Sequence, residues 1–272
     1  MVSLKESLRD KIEELKLNLV PSSFDQIGSI AIFNEFPKEL KKEEKIIANE
    51  LLKINKTVKT VAIKSKKFSG KFRLQKVRIV AGIKTKETLH KESSCLFKLD
   101  VEKCYFTPRL SHERLRISKL VKNNELILVM FSGIAPFPIV ISKHSKAKEI
   151  YAIELNPIAN KYAYENLMLN KINNIKLFQN NVKSVLPKLK IKFDRIIMPA
   201  PKNAENYLNL LKNKLKKNTV IHFYDFCNER DFPDKSINKI KKHFKKIKIL
   251  NVVKCGNISP YNYRICVDFQ VL

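Results

Sequence analysis

A glycine and a glutamate, separated by about the length of one helix, have the types and spacing that chemistry requires. Gly133 follows the apolar run that begins at Leu126, and Glu154 ends a second apolar run that begins at Tyr151. A strand that ends at a glycine turn, a helix, and a second strand that ends in an acid form one half of a nucleotide-binding fold. The glycine lets a ligand approach the backbone, and the carboxylate accepts hydrogen bonds from two ribose hydroxyls. The sequence therefore predicts a ligand that contains adenosine.

Apolar runs that alternate with helical patterns are the elements that position these two residues. The candidate strands after Pro108 are residues 126–131, 150–153, 174–178, 193–198, 219–223, 247–253 and 263–271. This alternation predicts a doubly wound α/β sheet. The last two runs are separated only by a turn near Gly256, which predicts a hairpin and one antiparallel strand. Such a Rossmann-like sheet, seven strands with one reversed, resembles the class I S-adenosylmethionine methyltransferases. The loop at Gly133 lacks the further glycines of a GxGxxG motif, which favours methyl transfer over hydride transfer.

The part of the chain before Pro108 has a different pattern. Leucine and isoleucine at three- and four-residue spacing predict an amphipathic N-terminal helix over residues 1–20. A short strand is expected within Phe24–Phe36 and a helix over residues 38–53, and β-branched stretches follow at 57–64, 72–80 and 95–100. We therefore expect three segments: the N-terminal helix, a small α+β domain over residues 21–108, and the Rossmann-like domain over residues 109–272.

The composition points to a large anionic partner. The chain has 54 Lys and Arg against 26 Asp and Glu, a formal charge of +28, which attracts a polyanion such as nucleic acid. Lysine enrichment also occurs in hyperthermophile proteins without any such partner, so charge alone leaves both interpretations open. Lysine clusters near residues 41–42, 64–67, 212–217 and 241–246 are candidates for a phosphate track or for solvated surface.

The cysteines and the apolar runs exclude other classes. Five cysteines lie without a CxxC pair or a neighbouring histidine, which argues against a zinc site and predicts buried thiols, with thermophilic disulfides as the alternative. No apolar run reaches about 18 residues, and the first ten residues carry charges throughout, unlike a signal peptide. We therefore expect a soluble, cytoplasmic protein without a membrane partner or a metal.

Seven sequence blocks follow one another in a recognisable order. They are Phe24–Ile32, Gly70–Gly82, Tyr105–Ile117, Met130–Phe137, Tyr151–Pro157, Asp194–Lys202 and Ile221–Tyr224. In residues and order, these blocks resemble the archaeal tRNA (guanine-37 N1)-methyltransferase family over about residues 20–272. The resemblance implies that the protein uses S-adenosyl-L-methionine to methylate N1 of the guanosine that follows the anticodon in tRNA.

The resemblance implies two catalytic residues. N1 of neutral guanine bears a proton, so its attack on the methyl group requires a base, and a cation must stabilise the charge that moves onto O6. By match to the family motifs, the base is Glu113 and the cation is Arg73. The alternatives are that Glu113 is a helix-surface carboxylate paired with Arg116, and that Arg73 contacts a phosphate.

The same resemblance implies the cofactor-binding residues. Glu154 is the ribose ligand and Gly133 the close-approach glycine. Asn181 lies where relatives have an aspartate near the adenine, although an Asx turn explains it almost equally well. Phe106 and Phe137 are expected around the cofactor or, equally, in the core, and Pro199 is expected beside the pocket.

Three residues depart from the family pattern. Val129 replaces an aspartate, Ala135 replaces a loop glycine, and Pro199 replaces the asparagine of an Asn-Leu-Pro-Lys block, which leaves Pro201 to shape the guanine pocket. An archaeal subgroup with a similar loop and Pro-x-Pro-Lys motif also methylates a tricyclic wyosine precursor to isowyosine. We therefore expect a second substrate of this kind.

Two further functions remain as alternatives. A related archaeal enzyme transfers the aminocarboxypropyl group of the cofactor, because the carbon of the sulfonium that faces the nucleophile decides which group moves. Pro136 and Pro199 argue against it, since those enzymes tend to have Gly-Tyr there. The other alternative is a non-catalytic RNA-binding protein, which Val129 and Ala135 favour and Glu113, Arg73 and Glu154 oppose. We expect a monomer that binds the tRNA anticodon loop.

Overall fold

The chain forms two compact units. The computed structural model describes residues 2–200 and 203–272, without the side chain of Lys67. One unit extends to Pro108, and the other extends from Arg109 to Leu272.

The first unit is an α+β structure. Its helices and strands are α1 (Leu4–Ser7), α2 (Glu14–Leu17), β1 (Asp25–Ile27), β2 (Ile30–Phe33), α3 (Glu44–Ile54), β3 (Thr60–Ser69), β4 (Leu74–Gly82), β5 (Glu87–Glu92) and β6 (Cys95–Asp100). Strands β1 to β4 form one sheet in chain order, in which β2 and β3 are parallel and the other neighbours antiparallel. Strands β5 and β6 form a hairpin. The buried side chains of α3 pack with those of the sheet in one apolar core.

Two expectations for this unit differ from the structure. The helix predicted over residues 1–20 is replaced by α1 and α2, because the chain bends between them to bury Leu8 in the core and to pair Lys11 with Glu50 at 2.6 Å. A helix of this length has little stability of its own, so these tertiary contacts decide its course. Strand β5 was absent from the predicted strands because its residues are mostly polar.

The second unit alternates strands and helices. They are α4 (Ser111–Leu120), β7 (Leu126–Met130), α5 (Pro136–His144), β8 (Glu149–Glu154), α6 (Pro157–Leu169), β9 (Ile175–Gln179), α7 (Val182–Val185), β10 (Phe193–Met198), β11 (Leu215–Asn228), α8 (Asp234–Lys241), β12 (Ile247–Ser259) and β13 (Asn262–Val271). Short 3-10 segments lie at 108–110, 186–188 and 229–231, with a longer one at 204–214.

These strands form one sheet of seven, in the order β12-β13-β11-β10-β7-β8-β9. Strands β7 to β11 are parallel to one another, and β13 is antiparallel to both β11 and β12. The predicted α/β sheet with one reversed strand is therefore confirmed. The chain passes from β7 to β8 on one side and places β10 on the other, so the carboxyl end of β7 is a topological switch point, where ligands bind in such sheets.

The sheet has two chemically different faces, since successive residues of a strand point in opposite directions. One face forms the larger apolar core, with Leu128, Ile196 and Phe223 among its buried residues. The other face carries buried charged and polar side chains from three adjacent strands: Arg195, His222, Tyr224 and Asp268. This second face contacts α4 through hydrogen bonds, which makes it the unusual feature of the fold.

Among the described residues, every helix is too short or too polar to span a bilayer.

The turn between β1 and β2 requires a glycine. Gly28 has a left-handed φ of +55°, and a Cβ there would overlap the side chain of Thr88 and the carbonyl of Leu89. We expect Gly28→Ala to lower the free energy of unfolding by roughly 2–4 kcal/mol, from backbone strain and overlap together. Gly70→Ala is the matched control: its φ is +72° but a Cβ meets nothing within 4 Å, so we expect a loss of about 1 kcal/mol. Urea unfolding measures both, and equal losses would contradict the close approach at Gly28.

Candidate active site

Glu154 and Gly133, the pair predicted from sequence, are joined by a hydrogen bond. The Gly133 N–H donates to Oε2 of Glu154 at 2.7 Å, and the Asn156 N–H donates to Oε1 at 2.7 Å. Burial raises the pKa of the Glu154 carboxyl, while these backbone donors act in the opposite direction. Each carboxylate oxygen can accept a second hydrogen bond. The geometry therefore fixes this carboxylate at the carboxyl end of β8 with acceptor capacity for two hydroxyls.

The loop from β7 to α5 has an unusual backbone. Phe131, Gly133 and Ala135 all adopt left-handed φ values, of 56°, 57° and 66°. Such a conformation costs about 1–3 kcal/mol at each non-glycine residue, and it persists where the surroundings impose it, often at binding sites. Ala135 is also the N-cap of α5. Its left-handed φ explains why a glycine is the expected residue at this position.

A buried serine in this loop gives independent support for a ligand. The hydroxyl of Ser132 is buried and has no hydrogen-bond partner among the described residues. Leaving a buried hydroxyl unsatisfied costs about 1–3 kcal/mol, which a bound polar ligand recovers. The donors and acceptors of Ser132, Gly133 and Glu154 fit a nucleoside cofactor at this edge of the sheet.

The remaining predicted cofactor residues of the second unit have identifiable local roles. Asn181 follows β9, and its side-chain oxygen accepts from the Lys183 N–H at 2.9 Å, so it caps α7 as an Asx turn does. Pro199 directly follows β10, at the same edge of the sheet as Glu154. Phe137 is buried and packs edge-to-face on Tyr224, with ring centroids 5.8 Å apart. Their contact with a cofactor stays a prediction.

The departures from the family pattern also have structural positions. Val129 is fully buried within β7, between Ala152 and Ile197 of the neighbouring strands, so it is a core residue. Pro201 lies outside the described residues.

Glu113 is buried on α4 and belongs to an ion-pair network. Its two oxygens accept from Nε and Nη2 of Arg116 at 2.7 and 2.8 Å, and Oε1 also accepts from the Tyr224 hydroxyl at 2.5 Å. The predicted pairing with Arg116 is therefore present, but the carboxylate is enclosed instead of lying on the helix surface. Burial raises the pKa of Tyr224 well above its ordinary value, so this phenol remains a proton donor to Glu113.

The network continues from Arg116 through the sheet. Arg116 donates to Oδ2 of Asp268 at 2.6 Å, and Oδ1 of Asp268 lies 2.6 Å from Nδ1 of His222. The other ring nitrogen of His222 lies 2.7 Å from Nη1 of Arg195, whose guanidinium also pairs with Glu125 at 2.7 Å. Glu113 is thus linked in series to five further side chains, which come from α4, β13, β11, β10 and the residue directly before β7.

The protonation of His222 follows from these partners. A guanidinium only donates hydrogen bonds, so the nitrogen facing Arg195 must be the acceptor and the proton must lie on Nδ1, facing Asp268. Burial lowers the pKa of His222, although the hydrogen bond to Asp268 opposes this, and the ring is neutral. Burial opposes ionisation of Asp268, but the donors His222 and Arg116 outweigh it and hold its pKa below the ordinary value.

His222, Cys266 and Asp268 also place three donor atoms within 4.8 Å of one another. Two guanidinium groups lie beside this cluster, and hydrogen bonds already join Asp268 to His222, Arg116 and Cys266. A cation in this position would be repelled by Arg116 and Arg195. These atoms therefore belong to the ion-pair network.

The other two predicted site residues belong to the first unit. Arg73 has a left-handed φ of 52° in the β3–β4 turn, where its N–H donates to the Gly70 carbonyl at 3.1 Å. Its guanidinium lies 5.4 Å from the centroid of the Tyr105 ring. Phe106 is buried and packs on the rings of His90 and Phe97. That Arg73 acts with Glu113 on one base, and that Phe106 contacts the cofactor, stay predictions.

Sequence reasoning missed most of the network. His222 and Asp268 each lie between apolar residues, in Ile-His-Phe and Val-Asp-Phe, and Arg195 directly precedes the apolar run Ile-Ile-Met of β10. Buried charges need partners, so isolated ionisable residues of both signs in adjacent strands were the available signal.

The fold and the Glu154 loop define a class I methyltransferase domain, and comparison with known proteins identifies the family. Residues 88–253 match the TRM5/TYW2 methyltransferase domain, and residues 4–85 match the TYW2 N-terminal domain. The chain belongs to the TRM5/TYW2 methyltransferase family.

Curated relatives differ in the reaction that their names give. The chain is 37% identical to the tRNA (guanine(37)-N(1))-methyltransferase Trm5b of Pyrococcus abyssi, over 95% of this chain and 77% of that protein. It is 33% identical to the tRNA (guanine(37)-N(1))/4-demethylwyosine(37)-methyltransferase Taw22 of Nanoarchaeum equitans, over 92% and 100%. It is 34% identical to the tRNA(Phe) (4-demethylwyosine(37)-C(7)) aminocarboxypropyltransferase of Methanocaldococcus jannaschii, over 90% and 96%.

Solved structures agree with this assignment. The complex of aTrm5 with tRNALeu superposes with a TM-score of 0.86 at 29% identity, covering 99% of this chain and 78% of that one. The complex of M. jannaschii TYW2 with AdoMet superposes with a TM-score of 0.69 at 28% identity, covering 92% and 100%.

The ion pair at the far end of the network is expected to matter for stability. Arg195→Met leaves Glu125 without its cation and His222 without its donor, so we expect a loss of roughly 3–5 kcal/mol in the free energy of unfolding. Lys216→Met is the control, because Lys216 forms an exposed pair with Asp194 at 2.7 Å, for which we expect at most about 1 kcal/mol. Urea unfolding compares the two, and similar losses would contradict the importance of the buried pair.

Proposed function

We propose that this protein transfers the methyl group of S-adenosyl-L-methionine to N1 of guanosine 37 in tRNA. One observation carries the proposal: a chain 37% identical to a Trm5b over 95% of its length holds both Glu154 and Glu113 in place by hydrogen bonds. The first carboxylate suits a cofactor ribose and the second suits the proton of the target base.

The chemistry assigns roles to two charged residues. Glu113 takes the proton from N1 of guanine, and Arg73 stabilises the negative charge that moves onto O6. The N1 lone pair then forms the new bond to the methyl carbon while the carbon–sulfur bond breaks and its electrons remain on sulfur. The positively charged sulfur makes this leaving group good without a metal.

The cofactor residues of the proposal lie in the second unit, apart from Phe106. Glu154 accepts from the ribose hydroxyls, and Ser132 and Gly133 supply a hydroxyl and a close backbone approach. The prediction that Asn181, Phe137 and Pro199 line the same pocket is supported by the first and last lying at the carboxyl edge of the sheet. Phe106 is retained from the family resemblance alone.

The partner in this proposal is tRNA, bound by its anticodon loop. The formal charge of +28 favours a polyanionic substrate, and the complex of aTrm5 with tRNALeu is a structure that this chain resembles closely. We further propose that the protein acts as a monomer in the cytoplasm, where tRNA is modified.

A second substrate is part of the proposal. The Nanoarchaeum equitans relative, whose name gives both guanosine 37 and 4-demethylwyosine 37, is 33% identical and is covered over its whole length. Pro199, which lacks both a side-chain amide and a backbone donor, makes the target pocket less restrictive towards a tricyclic base. We propose that the protein also methylates 4-demethylwyosine to isowyosine.

Aminocarboxypropyl transfer is the second candidate, favoured by 34% identity to the Methanocaldococcus jannaschii enzyme. Pro136 in the first turn of α5 and Pro199 after β10 argue against it, because the aminocarboxypropyl transferases tend to have Gly-Tyr at these positions. The two reactions leave different masses on the nucleoside, so one assay separates them.

The test is mass spectrometry of nucleosides from tRNA incubated with the protein and S-adenosyl-L-methionine. We expect N1-methylguanosine from a transcript with guanosine 37, none from one with adenosine 37, and isowyosine from tRNA that carries 4-demethylwyosine. Glu113→Gln should slow methyl transfer by about 10²–10⁴-fold and Arg73→Ala by about 10²–10³-fold. Lys71→Ala, an exposed residue of the same turn as Arg73, is the control and should retain the rate.

The outcomes of this assay separate the candidates. An aminocarboxypropyl product would favour the second candidate. If guanosine 37 is methylated but 4-demethylwyosine stays unchanged, the proposal of a second substrate is wrong and methyl transfer to guanosine 37 stands. A protein that binds the cofactor but yields no product from any of the three tRNAs would contradict methyl transfer to position 37.

Cofactor binding has its own prediction. Glu154→Ala removes two charge-assisted hydrogen bonds to the ribose, so we expect S-adenosyl-L-methionine affinity to fall by roughly 100-fold or more in calorimetry. Glu149→Ala, at the start of the same strand, removes a pair with Lys176 and a hydrogen bond with Tyr151, both away from Glu154, and should leave affinity unchanged. Equal affinity in the two variants would contradict the assignment of Glu154.

A further inference from the structure

The Glu113 carboxylate is held so that one acceptor position remains. A carboxylate has about four lone-pair positions. Among the described residues, Arg116 fills two of them and the Tyr224 hydroxyl fills a third. The fourth is the position from which this group can receive the proton of a base.

The six linked side chains, counted by themselves, carry one more negative charge than positive charge. Its carboxylates are Glu113, Asp268 and Glu125, and its cations are Arg116 and Arg195, while His222 is neutral. Buried charges that do not cancel are costly. Uptake of a single proton by the network therefore makes it neutral.

We propose that Arg116, Tyr224 and Asp268 are positioning residues that prepare Glu113 to accept the proton of the target base. Arg116 and Tyr224 aim the remaining lone pair of Glu113. Asp268 also pairs with Arg116, so that this guanidinium does not serve as a counter-ion to Glu113 alone. The proposal rests on the proposed function, in which Glu113 is the general base, and it assigns roles to three residues that the family motifs leave without one.

The titratable groups beside Glu113 do not compete with it for the proton of the base. On β13, the hydrogen bonds of Asp268 hold its pKa low, and Cys266 is a neutral thiol because burial raises its pKa well above the ordinary value. On β12, burial raises the pKa of Cys255 to about 12. On β11, Tyr224 stays protonated. On α4 itself, Arg116 remains charged because its two carboxylate partners outweigh burial and raise its pKa.

The proton step balances within this arrangement. The N1–H bond of guanine breaks, the proton moves to Glu113, and the N1 electron pair forms the bond to the methyl carbon. Protonated Glu113 leaves Arg116 paired with Asp268, whose oxygen lies 2.6 Å from it. The guanidinium thus keeps a full ion pair before and after the reaction, which is what a second carboxylate at this position contributes.

A network that only holds α4 on the sheet would have the same geometry as one that positions Glu113 for proton transfer. The pH dependence of methyl transfer distinguishes the structural role from the positioning role. The readout is the single-turnover rate constant of methyl transfer to guanosine 37 against pH, because product release then does not mask chemistry. Arg116→Gln frees Glu113 from its cation, so the acidic limb should move up by about one pH unit. Asp268→Asn leaves Glu113 as the one carboxylate of the network that pairs with Arg116, so the acidic limb should move to lower pH by a similar amount.

Tyr224→Phe is the variant that keeps the fold, since it removes one hydroxyl and leaves the buried ring in place. It should slow methyl transfer by about 10-fold and move the acidic limb upward, because the hydrogen bond that it removes favours the charged carboxylate. The apparent affinities for tRNA and cofactor should change less than about 3-fold, below the scale of one lost hydrogen bond. Lys119→Gln, an exposed residue of the same helix, is the control and should match the wild type.

The results separate this proposal from the proposed function. Shifts of opposite sign in Arg116→Gln and Asp268→Asn, with the expected slowing in Tyr224→Phe, support it. An active wild type with an unchanged rate and pH profile in Tyr224→Phe overturns it and leaves the proposed function intact, whether or not the other two variants fold. A wild type that methylates none of the three tRNAs overturns both.

Discussion

The ion-pair network beneath α4 is the interaction on which the second unit depends. Each buried ion loses several kcal/mol of hydration, and the network recovers this only when every charge is paired with good geometry. Helix α4 is therefore fixed on the sheet by partners of defined position, Tyr224 on β11 and Asp268 on β13, instead of by interchangeable apolar contacts. An apolar interface could stabilise the packing of the helix equally well, but it would define the position of the helix less closely. In the proposed function Glu113 is the general base, and such a base needs partners of defined position, because a small displacement of its carboxylate would lower the rate.

The same sheet separates two tasks in space. The carboxyl ends of β7 and β8 hold the loop with Gly133 and Glu154, while Glu113 lies on α4, which contacts the charged face. Phe137 connects the two regions, because it lies in the first turn of α5, after the loop, and packs on Tyr224. Ala135 shows the cost of this arrangement: the loop keeps a left-handed residue although the side chain there is not a glycine. The surrounding core, and the hydrogen bond from Gly133 to Glu154, hold the backbone in that conformation.

The sequence predicts those parts of the structure that depend on local pattern. Apolar runs and helix spacing predict the α/β sheet and its reversed strand, and the spacing of Gly133 and Glu154 predicts the strand–helix–strand unit that carries them. It does not predict the course of residues 1–20, because the burial of Leu8 is a tertiary contact. Nor does it predict the partners of Glu113, since Asp268 is about 150 residues away and strand order alone brings it close. Only the pairing of Glu113 with Arg116 was foreseeable, because both residues lie on one turn of a helix.

Relatives of comparable identity carry names of different reactions, so the shared fold does not by itself select the group that is transferred. The cofactor presents three carbons on one sulfonium, and the transferred group is the one whose carbon lies in line with the nucleophile. In the proposed function Glu154 holds the ribose end in either case, so it does not make this choice. We therefore expect the choice to depend on residues proposed to lie near the methionine end and the base: the loop with Ser132, Ala135 and Pro136, and the segment after β10 at Pro199. In this chain both segments combine proline with a small residue, and proline restricts the backbone. A restricted backbone on both sides of the proposed site favours one fixed orientation of the cofactor, which the proposed methyl transfer requires.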